Sequence, residues 1–291
     1  MEAAPTDPPQ ETPPDTVRLV SVGRQPLRVA VRPGTRGGPP LLLCSGIGVA
    51  LELWAPFIEA LDPGLTVIRF DVPGVGGSPL STLPHRFCTL ARLATALLGE
   101  LGYHQFDVLG VSWGGALAQQ LALQNPGRCR RVVLVATATG MLMVPGAPRV
   151  LLRIATPRRH RDANFARAVA GDVYGGSVRD NPALVEQLIL KHDRPESRRS
   201  YLYQLLTGLG WTSLPLLPLI RQPTLVLAGA DDPIIPLINA RIMTRLLPAA
   251  ELHVYDDGHL GILTRAGDLA DRVSTFLSEG DPPGHPVPQA G

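Results

Sequence analysis

Leu109-Gly110-Val111-Ser112-Trp113-Gly114-Gly115 follows the apolar run 106–109 and opens a helix-like segment at 116–124. A serine hydroxyl is a weak nucleophile unless it is held clear of neighbouring side chains and beside a base. A sharp strand-to-helix turn does that, and glycines two residues before and after the serine let the backbone turn so tightly. The stretch therefore reads as a nucleophile elbow, and no second pentapeptide of this pattern occurs in the chain. The competing reading is a tight turn whose Ser112 only caps the following helix. Residues elsewhere in the chain decide between the two.

Upstream, Leu41-Leu42-Leu43-Cys44 is a continuous apolar run suited to a strand buried on both faces, and it ends in Ser45-Gly46-Ile47-Gly48. Strands are expected at 66–70, 106–109, 132–135, 224–227 and 252–255. Helices are expected at 53–61, 90–101, 116–124, 238–246 and 269–277. Helices between short apolar strands imply crossover units on a mostly parallel, doubly wound sheet. Ahead of them, 17–22 and 27–31 alternate apolar and polar residues around a turn, the pattern of a hairpin at a sheet edge. The active site of such a sheet lies at the carboxyl ends of its strands, where Ser45 to Gly48, Asp71 and Ser112 would emerge.

The alternation breaks between Gly140 and Leu219. That stretch holds clustered prolines, the basic run Arg158-Arg159-His160-Arg161, and helix-like pieces near 184–191 and 201–209. So long a stretch without a clear strand is too much for a loop and predicts an inserted helical cap. The organisation expected is a Pro-rich leader at 1–16, a core at 17–139 and 220–278, a cap at 140–219 and a tail at 279–291. Leader and tail are expected to be disordered. Leu142, Val144, Val150, Leu151 and Leu152, with Trp211, Leu214, Leu216 and Leu217, fit either an apolar tunnel or the cap's own core.

Two strand ends complete the elbow. The strand at 224–227 leads into Gly229-Ala230-Asp231-Asp232-Pro233, and the last strand leads into Asp256-Asp257-Gly258-His259-Leu260. Ser, then Asp, then His is the chain order of an α/β-hydrolase triad. In that reading His259 is the base, with a pKa suited to taking and returning a proton near neutrality. Asp232 precedes a proline that biases it to extended backbone. It is the favoured acid, with Asp231 as a capping or turn residue. Asp256 and Asp257 stand too near His259 in sequence to lie beneath its ring and read as turn formers. The backbone amides of Trp113 and Ile47 are the candidate oxyanion donors.

Composition bounds the rest. The 291 residues are 45% apolar with a net charge of +2, material for one large core. The basic residues are nearly all arginine and scattered singly, so nucleic acid is not an expected partner. No apolar run reaches the roughly 18 to 20 residues of a membrane span. Residues 1–15 lack the positive start and apolar run of a secretory signal. Cys44, Cys88 and Cys129 form an odd set without metal spacing and read as reduced thiols of a cytosolic protein. His85, His104, His160, His192, His253 and His285 show no paired ligand spacing, so neither a metal nor a cofactor is expected. The segment from Asp71 to Ser78 lacks the lysine of a phosphate loop and reads as a turn that shapes the site. The cap's arginines read as solvated helix faces.

Several segments carry a resemblance. Gly110-Val111-Ser112-Trp113-Gly114-Gly115-Ala116, Met141-Leu142-Met143-Val144-Pro145-Gly146, Asp172-Val173-Tyr174-Gly175-Gly176, Gly208-Leu209-Gly210-Trp211-Thr212-Ser213 and Pro223-Thr224-Leu225-Val226-Leu227-Ala228-Gly229 together resemble the bacterial intracellular depolymerases of medium-chain-length polyhydroxyalkanoates. The likeness runs from about Val17 to Leu277, and the cap segments are its more specific part. It implies an α/β-hydrolase fold and a serine esterase that cuts a storage polyester at the surface of cytoplasmic granules, releasing 3-hydroxy acids or oligomers. It carries the triad onto Ser112, Asp232 and His259. Met141, Val144, Trp211 and Leu260 are the candidate substrate contacts. Gly261 departs from the pattern, which has a bulkier apolar residue there. The residues read alone reach ester or related acyl hydrolysis, which a general carboxylesterase, a lactonase or a carbon-carbon bond hydrolase would share. A non-catalytic binding protein of the same fold is the reading from another class.

Overall fold

The computed structural model describes residues 15–155, 158, 162–184, 188 and 197–279. The expected leader up to residue 14, the tail from 280, Arg159 to Arg161 of the basic run and most of the helix expected at 184–191 lie outside them.

An eight-stranded sheet organises the chain: β1 (Thr16–Val22), β2 (Gln25–Arg32), β3 (Leu41–Cys44), β4 (Val67–Phe70), β5 (Phe106–Val111), β6 (Cys129–Val135), β7 (Thr224–Gly229) and β8 (Ala250–Tyr255). Their spatial order is β1-β2-β4-β3-β5-β6-β7-β8. The β1–β2 hairpin and the β2–β4 pair are antiparallel, and every later pairing is parallel.

The buried strands alternate between two layers. Leu42, Cys44, Val108, Val132, Leu134, Val226 and Ala228 face one core. Leu41, Leu43, Leu109, Val133, Val135, Leu225 and Leu227 face the other. The period of two along each strand produces this division. The helices divide accordingly. α1 (Ala55–Ala60) packs Phe57 and Ile58 onto the second core, whereas α2 (Phe87–Glu100) and α3 (Trp113–Gln124) pack onto the first. In α2 the buried Phe87, Leu90, Ala91, Ala94, Leu97 and Leu98 recur at helical spacing, each worth up to about 2 kcal/mol for a fully buried leucine.

Between β6 and β7 the described residues form helices: α4 (Pro148–Ile154), α5 (Ala163–Tyr174), α6 (Gly176–Asp180), α7 (Arg198–Gly208) and a 3-10 helix at Leu214–Leu219. One isolated bridge joins Gly140 to Thr212. The two readings of the apolar residues there divide. Val150 joins a small core made by α5 and α6, and Leu217 joins the sheet's own core. Leu151 and Trp211 line a cavity, while Leu142, Leu152 and Leu216 are exposed. After β7 come α8 (Ile238–Leu246), α9 (Gly261–Thr264) and α10 (Ala266–Ser278).

β6 begins three residues before the apolar run at 132 that marked it in the sequence. Arg130 and Arg131 hid its start. Arg130 pairs with the buried Asp107 of β5 at 2.8 Å, and the Arg131 side chain donates to the Glu279 carbonyl. No helix among the described residues is long and apolar enough to cross a membrane.

Candidate active site

The elbow sits where β5 hands over to α3. Ser112 has φ 54° and ψ −117°, a conformation that L residues avoid and that a strained functional turn retains. Two hydrogen bonds lock it: its amide donates to the Val135 carbonyl at 2.9 Å, and its carbonyl accepts from Thr137 Oγ1 at 2.7 Å. The glycines answer close approach. A Cβ on Gly110 would lie 2.2 Å from the Gly114 oxygen, and one on Gly114 would lie 2.1 Å from the Cys44 oxygen. The turn can therefore press against β3. Ser112 precedes the first turn of α3, whose amides have no partner inside the helix and favour negative charge nearby.

The loops after β7 and β8 bring Asp232 and His259 together. The Asp232 carboxylate accepts through Oδ1 from the amides of Ile234 and Ile235, both at 2.9 Å, and its Oδ2 lies 2.7 Å from His259 Nδ1. Both residues are buried. An ionised carboxylate can only accept, so Nδ1 carries the proton and donates, which leaves Nε2 with a lone pair. Asp231 faces away, accepting from the Gly176 amide and pairing with Arg179.

Asp257 does more than form a turn. Its buried carboxylate accepts from the Ser177 amide and hydroxyl, both at 2.8 Å, and from the Gly258 amide and Thr264 Oγ1, both at 2.7 Å. Burial pushes this carboxyl up, but the hydrogen bonds from Thr264, Gly258 and Ser177 outweigh it and hold the pKa below the usual value. The His259 amide donates to the Tyr174 carbonyl at 2.7 Å. The α5–α6 end of the insertion is thus fastened to the two loops that carry Asp232 and His259. Gly176 permits the approach, since a Cβ there would lie 2.0 Å from Asp257 Oδ1.

A second fastening lies at a residue the sequence reading passed over. Gln204 of α7 is buried, accepts through Oε1 from the Gly48 amide at 3.0 Å, and accepts through its carbonyl from Trp113 Nε1 at 3.0 Å. One residue of the insertion thereby holds both stretches that present the candidate oxyanion donors, Ile47 and Trp113. Its signal was a lone amide inside the apolar run Leu202 to Leu206. Asp71 organises the neighbouring loop, accepting from the amides of Leu51 and Gly77 at 2.8 and 2.9 Å. Burial pushes the Asp71 carboxyl up, against the pull of these bonds and of Arg28.

Two apolar chambers meet at Ser112. The narrower, about 90 Å³, is lined by Ile47, Leu53, Trp54, Tyr174, Leu260 and Leu263, with Ser112 and His259 at its wall. The wider, about 560 Å³, is lined by Phe87, Trp113, Met141, Gln204, Leu209 and Trp211. Met141 and Trp211 therefore face the wider chamber and Leu260 the narrower one. Val144 lines neither chamber, and its backbone is tied at both N and O to Asn239 of α8, each at 2.8 Å. Gly261 has a local cause: a Cβ there would lie 2.1 Å from the Tyr255 ring. Among the described residues no cluster of His, Cys, Asp and Glu could hold a metal ion.

The α/β hydrolase fold family model matches residues 39–266. The chain belongs to that family. It is 51% identical over 262 residues to a poly(3-hydroxyalkanoate) depolymerase of Ectopseudomonas oleovorans, covering 90% of this chain and 92% of that protein. It is 31% identical to a pimeloyl-[acyl-carrier protein] methyl ester esterase of Aromatoleum aromaticum, over 80% of this chain and 95% of that one. Among solved structures, the enol-lactonase of Burkholderia xenovorans superposes with a TM-score of 0.76 at 23% identity, covering 90% of this chain and all of that one. At that identity the likeness is one of fold.

Proposed function

We propose that this chain is a serine esterase that hydrolyses medium-chain-length polyhydroxyalkanoate to 3-hydroxy acids or oligomers. The observation that carries the reading is a strained serine at the junction of two apolar chambers, sharing the wall of one with a histidine whose ring is held by a buried carboxylate. Such walls suit an uncharged ester with apolar side chains on both sides of the scissile bond. The 51% identity to a poly(3-hydroxyalkanoate) depolymerase supports the substrate class.

In this reading Ser112 Oγ attacks the ester carbonyl while His259 Nε2 takes its proton. Asp232 stabilises the imidazolium that results. The amides of Ile47 and Trp113 donate to the oxyanion, each such donor being worth about 3 kcal/mol. Collapse breaks the C–O bond, and the leaving alkoxide takes the proton from His259. Water then attacks the acyl-enzyme, His259 again accepting the proton, and the free acid departs as Ser112 is regenerated. Residues 140–219 act as a cap that shapes both chambers. The protein works in the cytoplasm, at the surface of storage granules.

The test is a side-by-side assay of purified protein on emulsified medium-side-chain polyester, short-side-chain polyester and triglyceride. The medium-side-chain polymer is expected to release 3-hydroxy acids fastest, and Ser112→Ala to abolish release with an unchanged melting temperature. Equal turnover by the Ala variant would overturn the mechanism, and preference for triglyceride would overturn the substrate.

A further inference from the structure

The helix α7 is inside out. Its buried positions are Tyr201 and the polar Ser200, Gln204 and Thr207, at 1 to 4% exposure, whereas Leu202, Leu205, Leu206 and Leu209 stand 50, 39, 39 and 62% exposed. These four leucines fall at the i, i+3, i+4, i+7 spacing of one helix face. A helix at the surface of a globular protein ordinarily shows the reverse arrangement. The inward polar side chains are used: Ser200 Oγ donates to the Gly74 carbonyl at 2.6 Å, and Gln204 accepts from Gly48. Those bonds fix the rotation of the helix, so the leucines cannot turn inward.

The stripe is continuous with the site. Leu205 and Leu209 line the wider chamber that ends at Ser112. Met141 lines it too and extends the apolar surface, its Sδ accepting from the Gly210 amide at 2.9 Å. Met141 and its neighbour Leu142 are 61 and 59% exposed. From Ser200 to Trp211 the chain carries no charged residue. A patch of this kind marks a place of contact with another apolar phase. Whatever covers the mouth of the chamber must also deliver the ester chain to the serine, and it must be uncharged.

We infer that the outward face of α7, formed by Leu202, Leu205, Leu206 and Leu209 with Met141 and Leu142, is the docking surface for the condensed substrate, the apolar surface of the polyester particle itself. This rests on the proposed substrate. The face seats the enzyme on the particle with the mouth of the wider chamber against it, so a strand of polymer passes from particle to Ser112 without crossing water.

The test combines Leu202→Ser with Leu206→Ser, residues that line neither chamber. Binding is read by co-sedimentation with emulsified medium-side-chain polyester in a Ser112→Ala background, where nothing is consumed. The expected result is about ten-fold weaker binding, matched by slower polyester hydrolysis when Ser112 is present. Turnover of a dissolved short p-nitrophenyl ester stays within about two-fold, as the control for folding. Leu202→Met with Leu206→Met keeps binding, and Leu19→Ser on the edge strand β1 leaves it unchanged. Undiminished sedimentation of the double serine variant overturns the inference. So does a wild-type dimer that the variant converts to monomer while particle binding persists, because the face then covers a second copy of the chain. Wild-type protein that sediments with the particles but releases no hydroxy acid keeps the docking face and loses the substrate. Wild-type protein that does not sediment loses the docking face.

Discussion

The sheet and the insertion bury their residues by opposite rules. In β3, β5, β6 and β7 the apolar side chains point into two cores, and nearly every one is fully enclosed. In α7 Ser200, Gln204 and Thr207 point inward beside Tyr201, and the leucines point outward. The sheet is therefore held together by apolar burial, and its strand ends present Ser112, Asp232 and His259. The insertion has a small core of its own around Val169, Ala170 and Val173. Buried hydrogen bonds, among them those at Asp257 and Gln204, tie it to the loops that follow the strands. Burial of an apolar face is indifferent to small slips, whereas a buried acceptor serving several donors fixes position within fractions of an ångström. The candidate triad thus stands on the sheet, and the insertion is fastened to the loops around it.

The comparison breaks most sharply at the sheet's own strand ends. Asp232→Asn, which favours the wrong imidazole tautomer, is expected to lower kcat roughly 10³- to 10⁴-fold with the fold intact, as read by steady-state kinetics alongside a melting curve. A loss below ten-fold would mean that Asp232 does not serve His259.

Next comes the packing contrast. Leu109→Ala, at a site 0% exposed, should cost about 2–5 kcal/mol in a urea titration. Leu152→Ala, at 74% exposure in α4, should stay within about 0.5 kcal/mol.

The two fastenings are expected to differ in kind. Gln204→Leu removes the acceptor for the Gly48 amide and leaves a buried donor without a partner, a cost of about 1–3 kcal/mol. If Gln204 aligns the oxyanion loop, kcat for a dissolved ester falls about ten-fold or more while KM barely moves. A change confined to melting temperature would make it a packing residue only.

The smallest effect is expected at Asp257 and depends on pH. Its folded pKa lies below the ordinary 3.8, so in acid the unfolded chain binds the proton more readily and stability rises with pH through that range. The contribution is fully present above the ordinary value and is lost as pH falls through the folded one. Asp257→Asn should therefore be destabilised at neutral pH and should lose less than the wild type between about pH 5 and 2, as read by melting temperature. Parallel curves for the two proteins would show that the shift is absent.

Much of the fold was legible because its signals are local. Alternation of period two, apolar runs of strand length and the glycine-flanked serine can be read within a few residues, and they gave the parallel sheet and the place of the elbow. The approach of Asp232 to His259 was legible too, since each follows a strand. The start of β6 was hidden because Arg130 and Arg131 are satisfied by Asp107 and the Glu279 carbonyl, partners distant in sequence. Val144 fitted an apolar lining by residue type, yet its backbone is spent on Asn239. Asp257 read as a turn former because its main partner, Ser177, lies 80 residues away.

By itself the sequence determined which residues could do chemistry and where along the chain they stand, because residue type and short-range periodicity are properties of the string. Only the tertiary structure decided that the favoured Asp232 comes within 2.7 Å of His259 Nδ1, that Gln204 ties α7 to the loop after β3, and that the leucines of α7 face outward. Those outcomes depend on which donor reaches which acceptor across separations of 27 to 156 residues. A hydrogen bond forms within a few tenths of an ångström of its best length or not at all, and no local pattern carries that information.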